Sequence, residues 1–393
     1  MQHYNYLIIG GGMTADAAAK GIRETDTKGS IAIISNEDHP PYNRPPLSKS
    51  LWKGDGEDTI WRKTNENNVT MVLSHQATSI NAKGKTVTDS SGDIYTYDKL
   101  LLATGGIINK LPFEVEGIIY FRTVDDYTKL RALSIKATEI VVIGGGFIGS
   151  EIAAALAMNG KKVTMIFPEA AIGARVYPSA LASFLNSYYE SKGVTVLAND
   201  GVIGIEKSMA TYTISTKSGK TLKADVVVAG IGVKPNTALA AEAGLKVENG
   251  IVVDENLCTS EPNIYAAGDV ANFYSPALGK RVRVEHEDNS NVMGAIAGRN
   301  MAGANEKYNY LPFFYSDLFD LGYEAVGELD TRLEIVEDWK EPFKEGVIYY
   351  LESGKVRGVL LWNTWGQVDH ARELIASGDS FDAGALKGKL PKE

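Results

Sequence analysis

The chain has 393 residues, room for about two to three domains, and its 44% hydrophobic and 23% charged residues exclude wholesale disorder. Forty basic against 49 acidic residues leave a net charge of −9, which argues against nucleic acid as a main partner, because phosphate neutralisation needs clustered positive charge. The single cysteine, Cys258, excludes an internal disulfide, a dithiol redox pair and any Cys-rich zinc or iron–sulfur site, so the chemistry must come from other side chains or a borrowed cofactor.

In chain order, the first signal is the apolar run Tyr6 to Ile9, which closes on Gly10-Gly11-Gly12. No basic or cleavable stretch precedes it, and no run approaches the ~18 apolar residues of a membrane helix. The expectation is a cytoplasmic protein without a membrane span. Four apolar residues before a glycine turn predict a strand buried on both faces, followed by a helix whose positive dipole end faces the turn. This is the grammar of a dinucleotide site. Gly10 makes the tight turn, Gly12 lets backbone N–H groups approach a pyrophosphate, and Ala15 is an allowed residue at the third, packing position. A second strand is expected over 31–35. Glu37 lies just beyond it, 25 residues after Gly12, a spacing that suits a carboxylate on ribose hydroxyls.

Pro40-Pro41 and Pro45-Pro46 bracket Tyr42-Asn43-Arg44 and lead into Leu47-Ser48-Lys49; the prolines predict an extended, stiff path. Further on, Leu100-Leu101-Leu102 run into Ala103-Thr104-Gly105-Gly106. Then the opening pattern returns. Ile140 to Ile143 close on Gly144-Gly145-Gly146, Gly149 completes the glycine triplet, and Glu151 precedes another Ala-rich run. The two corners lie 134 residues apart, a strand is expected over 163–167, and Glu169 stands 23 residues after Gly146. Val226-Val227-Val228-Ala229-Gly230-Ile231-Gly232 echoes the run from Leu100 to Gly106. Landmarks repeated in one order predict two copies of one nucleotide-binding unit, hence two adenine dinucleotides.

After about residue 305 the pattern changes. Runs over 311–317, 322–327, 331–336, 346–351 and 356–362 carry aromatic and β-branched residues at strand spacing, and a helix is expected over 367–377. These elements predict an antiparallel sheet followed by a helix.

Pro41-Tyr42-Asn43-Arg44-Pro45-Pro46-Leu47-Ser48-Lys49, Leu102 to Gly106 and Tyr265-Ala266-Ala267-Gly268-Asp269 together resemble the FAD-dependent pyridine nucleotide-disulfide oxidoreductases. Arg283-Val284-Glu285-His286, Lys344 to Tyr350 and Leu361-Trp362-Asn363 resemble more narrowly the apoptosis-inducing factor and ferredoxin (rubredoxin) reductase branch, in a prokaryote-like form. The resemblance implies an α/β fold with two Rossmann-like domains of glutathione-reductase type and a C-terminal α+β domain with an antiparallel sheet. Its boundaries would be 1–115 with 250–305 for a discontinuous FAD domain, 116–249 for NAD(H) and 306–393 for the C-terminal domain.

Carried over by position, Gly10, Gly12, Ala15, Ala103, Thr104 and Gly105 would line FAD, with Asn36 and Glu37 on the adenosine ribose and Ala77 lending backbone to adenine. Arg44 would pair with the FAD pyrophosphate, Arg122 and His286 would touch the flavin, Glu285 would accompany His286, and Asp269 would hold the ribityl chain. Lys49 and Glu151 would meet beside flavin N5 as the catalytic pair. The second dinucleotide, NADH, would take Gly144, Gly146, Phe147, Ile148, Gly149, Glu151, Glu169, Arg175 and Gly232, with Phe147 in the nicotinamide path. Glu169 would accept from the 2′-OH of NADH and repel the 2′-phosphate of NADPH, although Arg175 falls at a family basic position able to contact phosphate.

Three departures stand out. Tyr315 occupies a flavin-side position where the apoptosis-inducing factor pattern has Trp, Glu287 replaces a histidine, and the link from Glu341-Pro342 to Gly346-Val347 lacks a long eukaryotic insertion. The implied function is an FAD-dependent NADH oxidoreductase that passes electrons to a ferredoxin- or rubredoxin-like protein or a small-molecule acceptor. NADPH is the less favoured donor. No metal, nucleic acid or membrane is called for, and a homodimer is compatible. The alternative is a slow-turnover, redox-responsive NADH-binding interaction protein.

Overall fold

A computed structural model describes residues 1–391 and falls into two compact units. Met1–Asn43, Glu57–Ile107 and Lys234–Phe313 form the first; Arg44–Gly56, Ile108–Val233 and the chain from Phe314 form the second.

In the first unit the strands Val69–Val72, Ile31–Ile34, Gln2–Ile9 and Ile94–Leu102 lie side by side in that order and run parallel. Ile264–Ala266 joins the last of them, also parallel. Leu7, Ile8, Ile33 and Leu101 are fully buried, as strands covered on both faces must be. Ile9 stands beside Ile34 and Leu102, and Leu102 beside Ala266. The strands therefore end level, and Gly10, Ser35, Ala103 and Ala267 share the carboxyl edge, where open α/β sheets bind ligands. A hairpin of Ala77–Asn81 and Thr86–Asp89 extends from the first half of Ile94–Leu102. The helices Met13–Thr25 and Glu287–Met301 approach through small residues: a Cβ on Gly298 would stand 2.1 Å from the Ala18 carbonyl oxygen.

The second unit repeats this plan. Thr195–Leu197, Lys162–Ile166, Glu139–Ile143, Val226–Ala229 and Ile119–Tyr120 form a parallel sheet in that order. Ile143 stands beside Ile166 and Ala229, as Ile9 stands beside Ile34 and Leu102. An antiparallel arm of Val202–Ser208, Thr211–Thr216 and Thr221–Ala224 follows. The same unit contains the expected C-terminal sheet. Leu321–Gly327, Lys355–Trp362, Glu345–Glu352 and Glu334–Glu341 pair antiparallel in that order, with Phe313–Leu318 beside the first and the helix Val368–Ala376 after the last in sequence.

Two local expectations need correction. The run over 331–336 becomes strand only at Glu334, because Asp330 turns the chain, accepting from Arg332 N–H at its carboxylate and from Leu333 N–H at its carbonyl. The proline segment is not extended throughout. Pro45–Ser48 forms a 3₁₀ turn closed by Leu47 N–H on the Arg44 carbonyl and Lys49 N–H on the Pro46 carbonyl. The fixed φ of proline suits a first helical turn as well as an extended path.

Candidate functional site

The two corners share one geometry. Gly10 has φ +110° and Gly144 φ +116°; a Cβ would stand 2.1 Å from the Ala103 carbonyl oxygen at the first and 2.3 Å from that of Gly230 at the second. Only glycine fits either position. Gly12 and Gly146 instead face open space, where a Cβ would meet nothing within 4 Å, and each starts a helix that has no side-chain cap. Uncapped N–H groups with room in front of them suit an anion. The residues present thus fit a dinucleotide pyrophosphate at both corners. The third positions differ: a Cβ on Gly149 would collide with the Gly144 carbonyl at 2.1 Å, whereas Ala15 carries its methyl fully buried.

Around the first corner, Asn36 is exposed and Glu37 half-buried; Glu37 Oε2 accepts from Tyr42 Oη at 2.6 Å and its N–H donates to Ser35 Oγ at 3.2 Å. Ala77 is buried at the start of the hairpin. Thr104 Oγ1 donates to the Asn236 carbonyl at 2.8 Å, and Asn236 N–H returns a bond to the Gly105 carbonyl at 2.9 Å, which holds this loop in place. Asp269 follows the end of Ile264–Ala266. Arg283 Nη1 reaches both its carbonyl, at 3.0 Å, and Glu285 Oε1, at 2.6 Å. His286 begins the helix Glu287–Met301. Its burial brings the imidazole down to about 4, against the opposing pull of the Asp269 charge, so the ring is neutral at pH 7.

In the second unit, Glu151 is buried on the second corner helix, Phe147–Met158. Its Oε2 accepts from Lys49 Nζ at 2.7 Å and from Ser48 Oγ at 2.6 Å, and its Oε1 accepts from Ser316 Oγ at 2.5 Å. Three donors converging on one carboxyl group match the acceptor capacity of a carboxylate. Lys49 also lies 5.4 Å from the centre of the Tyr315 ring. Burial pushes up the Tyr177, Tyr189 and Tyr323 phenols, and the Glu151 charge adds to the effect. Phe147 and Ile148, next to the open corner, remain 39% and 40% exposed, and Phe147 packs on Phe314 with ring centres 5.6 Å apart. Arg44 Nη1 donates to the Arg122 carbonyl at 2.9 Å, so the residue expected on the FAD pyrophosphate adjoins one expected on the flavin. Arg175 Nη2 meets Glu169 Oε1 at 2.8 Å. Gly232, at φ +89°, accepts from Asn109 N–H at 2.9 Å.

The structure therefore gathers Lys49 with Glu151 and Tyr315, Arg44 with Arg122, and Glu169 with Arg175. The residues expected at FAD divide between the units: Arg44, Lys49, Arg122 and Tyr315 belong to the second, the others to the first. Sequence reasoning missed Ser48 and Ser316 as partners of Glu151. The signal for each was adjacency: Ser48 precedes Lys49 and Ser316 follows Tyr315.

Comparison with known proteins agrees with this geometry. The profile of the pyridine nucleotide-disulphide oxidoreductases matches residues 4–294, and that of the mitochondrion-associated C-terminal region of apoptosis-inducing factor matches residues 336–377. A Drosophila melanogaster protein named for mitochondrial apoptosis-inducing factor 1 is 31% identical over 476 residues; the alignment spans 97% of this chain and 64% of the fly protein, less than two thirds of its length. Rubredoxin-NAD(+) reductase of Ectopseudomonas oleovorans is 34% identical over 339 residues, 84% of this chain and 88% of that protein. Among solved structures, the covalent putidaredoxin reductase–putidaredoxin complex matches with a TM-score of 0.92 at 29% identity, covering 100% of this chain and 97% of the matched chain. Among the described residues no helix is long and apolar enough to cross a membrane. With both glycine corners inside the matched span, the chain belongs to the pyridine nucleotide-disulphide oxidoreductase family.

Proposed function

We propose that the chain is an FAD-dependent NADH oxidoreductase that delivers electrons to a small electron-transfer protein. The observation that carries this reading is the Lys49–Glu151 pair, whose buried glutamate rides on the helix that opens at the second glycine corner. FAD, when bound, would supply the redox chemistry, two-electron reduction by the nicotinamide and one-electron delivery to an acceptor. In this reading the uncapped helix at Gly12 binds the FAD pyrophosphate, Glu37 its ribose, and Asp269 the ribityl chain. The helix at Gly146 binds the pyrophosphate of NADH, and Phe147 and Ile148 shield the nicotinamide from water. Lys49 holds its proton at Nζ in a fixed place, because Glu151 anchors the ammonium while Ser48 and Ser316 anchor Glu151. A pre-oriented charge of this kind needs no reorganisation when charge moves nearby. The domain division in this reading is 1–115 with 250–305 for FAD, 116–249 for NADH and 306–393 for the C-terminal domain.

NADH is favoured over NADPH because Glu169 presents a carboxylate where the 2′ substituent is expected. Its partner Arg175 is 84% exposed and holds it weakly. The relatives named for rubredoxin and putidaredoxin reduction support a small redox protein as acceptor. A second reading, slow turnover coupled to partner binding, is supported by the match of residues 336–377 to the apoptosis-inducing factor C-terminal region.

Anaerobic stopped-flow mixing with NADH, followed by reoxidation with a panel of acceptors, separates the two. Rapid bleaching of the flavin and rapid recovery with a ferredoxin or rubredoxin support the enzyme. Bleaching that persists for minutes with every acceptor favours the switch, and no bleaching at all defeats both.

A further inference from the structure

The glycine corners are followed by a second repeat that has no counterpart in residue type. The Val72 carbonyl accepts from Ser35 N–H at 2.9 Å, and the Leu197 carbonyl from Phe167 N–H at 3.2 Å. His75 N–H then donates to the Ser35 carbonyl at 2.9 Å, and Asp200 N–H to the Phe167 carbonyl at 3.1 Å. Finally Ser74 N–H donates to the Glu37 carbonyl at 3.1 Å, and Asn199 N–H to the Glu169 carbonyl at 2.8 Å. Both copies pass through the left-handed region at the same step, Ser74 with φ +59° and Asn199 with φ +55°. Such excursions are uncommon outside glycine, so their recurrence marks one device built twice.

In each copy the turn after the outer strand clasps the main chain of the acid expected on the adenosine ribose. A side chain then pins each clasp to the antiparallel arm behind it. In the first copy His75 Nδ1 pairs with Asp89 Oδ2 at 2.6 Å. Asp89 is itself buried and also accepts from Tyr95 Oη at 2.9 Å and from the N–H groups of Ser91 and Asp93. In the second copy Asp200 Oδ2 accepts from Ser218 Oγ at 2.5 Å, and Oδ1 from the N–H groups of Ser218 and Gly201, both at 2.9 Å. These bonds, the Ser218 hydroxyl foremost, bring the Asp200 carboxyl down to about 2. The clasp matters most at Glu169, whose side-chain partner is the exposed Arg175: rigidity there must come from the main chain.

We propose that Asp200 and His75 are positioning residues of the two dinucleotide sites, Asp200 fixing Glu169 for the adenosine ribose of NADH and His75 fixing Glu37 for that of FAD. The proposal rests on the cofactor assignment above. It is tested on the FAD-loaded protein by NAD⁺ titration calorimetry, flavin release on dilution followed by fluorescence, and steady-state kinetics. Asp200→Ala should weaken NAD⁺ binding and raise the NADH KM about tenfold, with kcat within about twofold and flavin retention unchanged. Asp200→Asn, which keeps an acceptor for Ser218 and Gly201 N–H, should recover most of the affinity. His75→Ala should do the reverse, speeding flavin release while the NAD⁺ dissociation constant stays put. Unchanged affinities in both variants overturn the proposal. So does a parallel loss of flavin and NAD⁺ from Asp200→Ala, which is the mark of general unfolding. Crossed effects, with His75→Ala acting on NAD⁺ and Asp200→Ala on the flavin, overturn it in a different way, by refuting the cofactor assignment rather than the clasps.

Discussion

Lys49 Nζ and Glu151 Oε2 lie 2.7 Å apart, although 102 residues separate them in the chain. The lysine side chain is 12% exposed and the glutamate 3%, so neither charge has much water to fall back on. Removing one partner of such a pair strands the other, at a typical cost of about 3–5 kcal/mol. Glu151→Gln keeps the shape and an acceptor but removes the charge that anchors Lys49. We expect this variant to fold, to retain FAD, and to be reduced by NADH at least about tenfold more slowly, equivalent to about 1.4 kcal/mol of transition-state stabilisation. Wild-type reduction rates in stopped-flow would remove the pair from the reaction.

The two kinds of glycine in each corner separate stability from binding. Gly144→Ala puts a Cβ 2.3 Å from a carbonyl oxygen at φ +116°, and should lower stability by about 1–3 kcal/mol or more, visible as a lower Tm. Gly146 has φ −84° and open space in front of it. Gly146→Ala should therefore leave Tm near wild type while its methyl intrudes on the pyrophosphate, weakening NAD⁺ binding. Equal melting losses for the two variants would contradict this separation.

Nucleotide preference should turn on Glu169. Glu169→Ala removes the acceptor proposed for the 2′-OH and frees Arg175, so the ratio of kcat/KM for NADH to that for NADPH should fall about tenfold or more. Equal losses with both nucleotides would place the 2′ substituent elsewhere.

His286 sets a pH dependence whose sign follows from its depressed pKa. The ordinary value is 6.5 and the folded value about 4, so between these limits the unfolded chain binds the proton and the folded chain does not. Stability contributed by the neutral ring is complete above pH 6.5, declines as the pH falls toward 4, and declines no further below that; the total is up to about 3 kcal/mol. Urea unfolding between pH 7 and 4.5 should show a shallower loss for His286→Asn than for wild type.

What the sequence made legible follows from distance along the chain. Each glycine corner is local: strand, turn and helix lie within about 20 residues, and the apolar period and glycine spacing carry the signal. The placing of Glu37 and Glu169 just past the second strand of each copy was readable for the same reason. The C-terminal strands showed in their alternation, yet the one expected from 331 started late, because the Asp330 side chain captured the backbone first. Ser316 was not readable as a partner of Glu151, since a serine in a strand has no sequence mark that says which carboxylate it meets 165 residues away. The clasps were hidden for another reason. They are made by backbone N–H groups, and Ser74 with His75 shares no residue type with Asn199 and Asp200.

Ser316 lies beyond both corners in sequence and donates to Glu151 from the strand Phe313–Leu318. A chain cut before that strand would still carry every corner glycine, Glu37, Glu169 and both Lys49 and Glu151. Its Glu151 Oε1 would lack the serine hydroxyl, and Lys49 would lose the Tyr315 ring beside it. The strand Phe313–Leu318 thus completes the hydrogen-bond shell of Glu151 from a part of the chain that follows both corners. Under the proposed function, a graft of the two glycine corners onto another scaffold would carry Lys49 and Glu151 without Tyr315 and Ser316, so a design that aims at the reaction should bring residues 315 and 316 along.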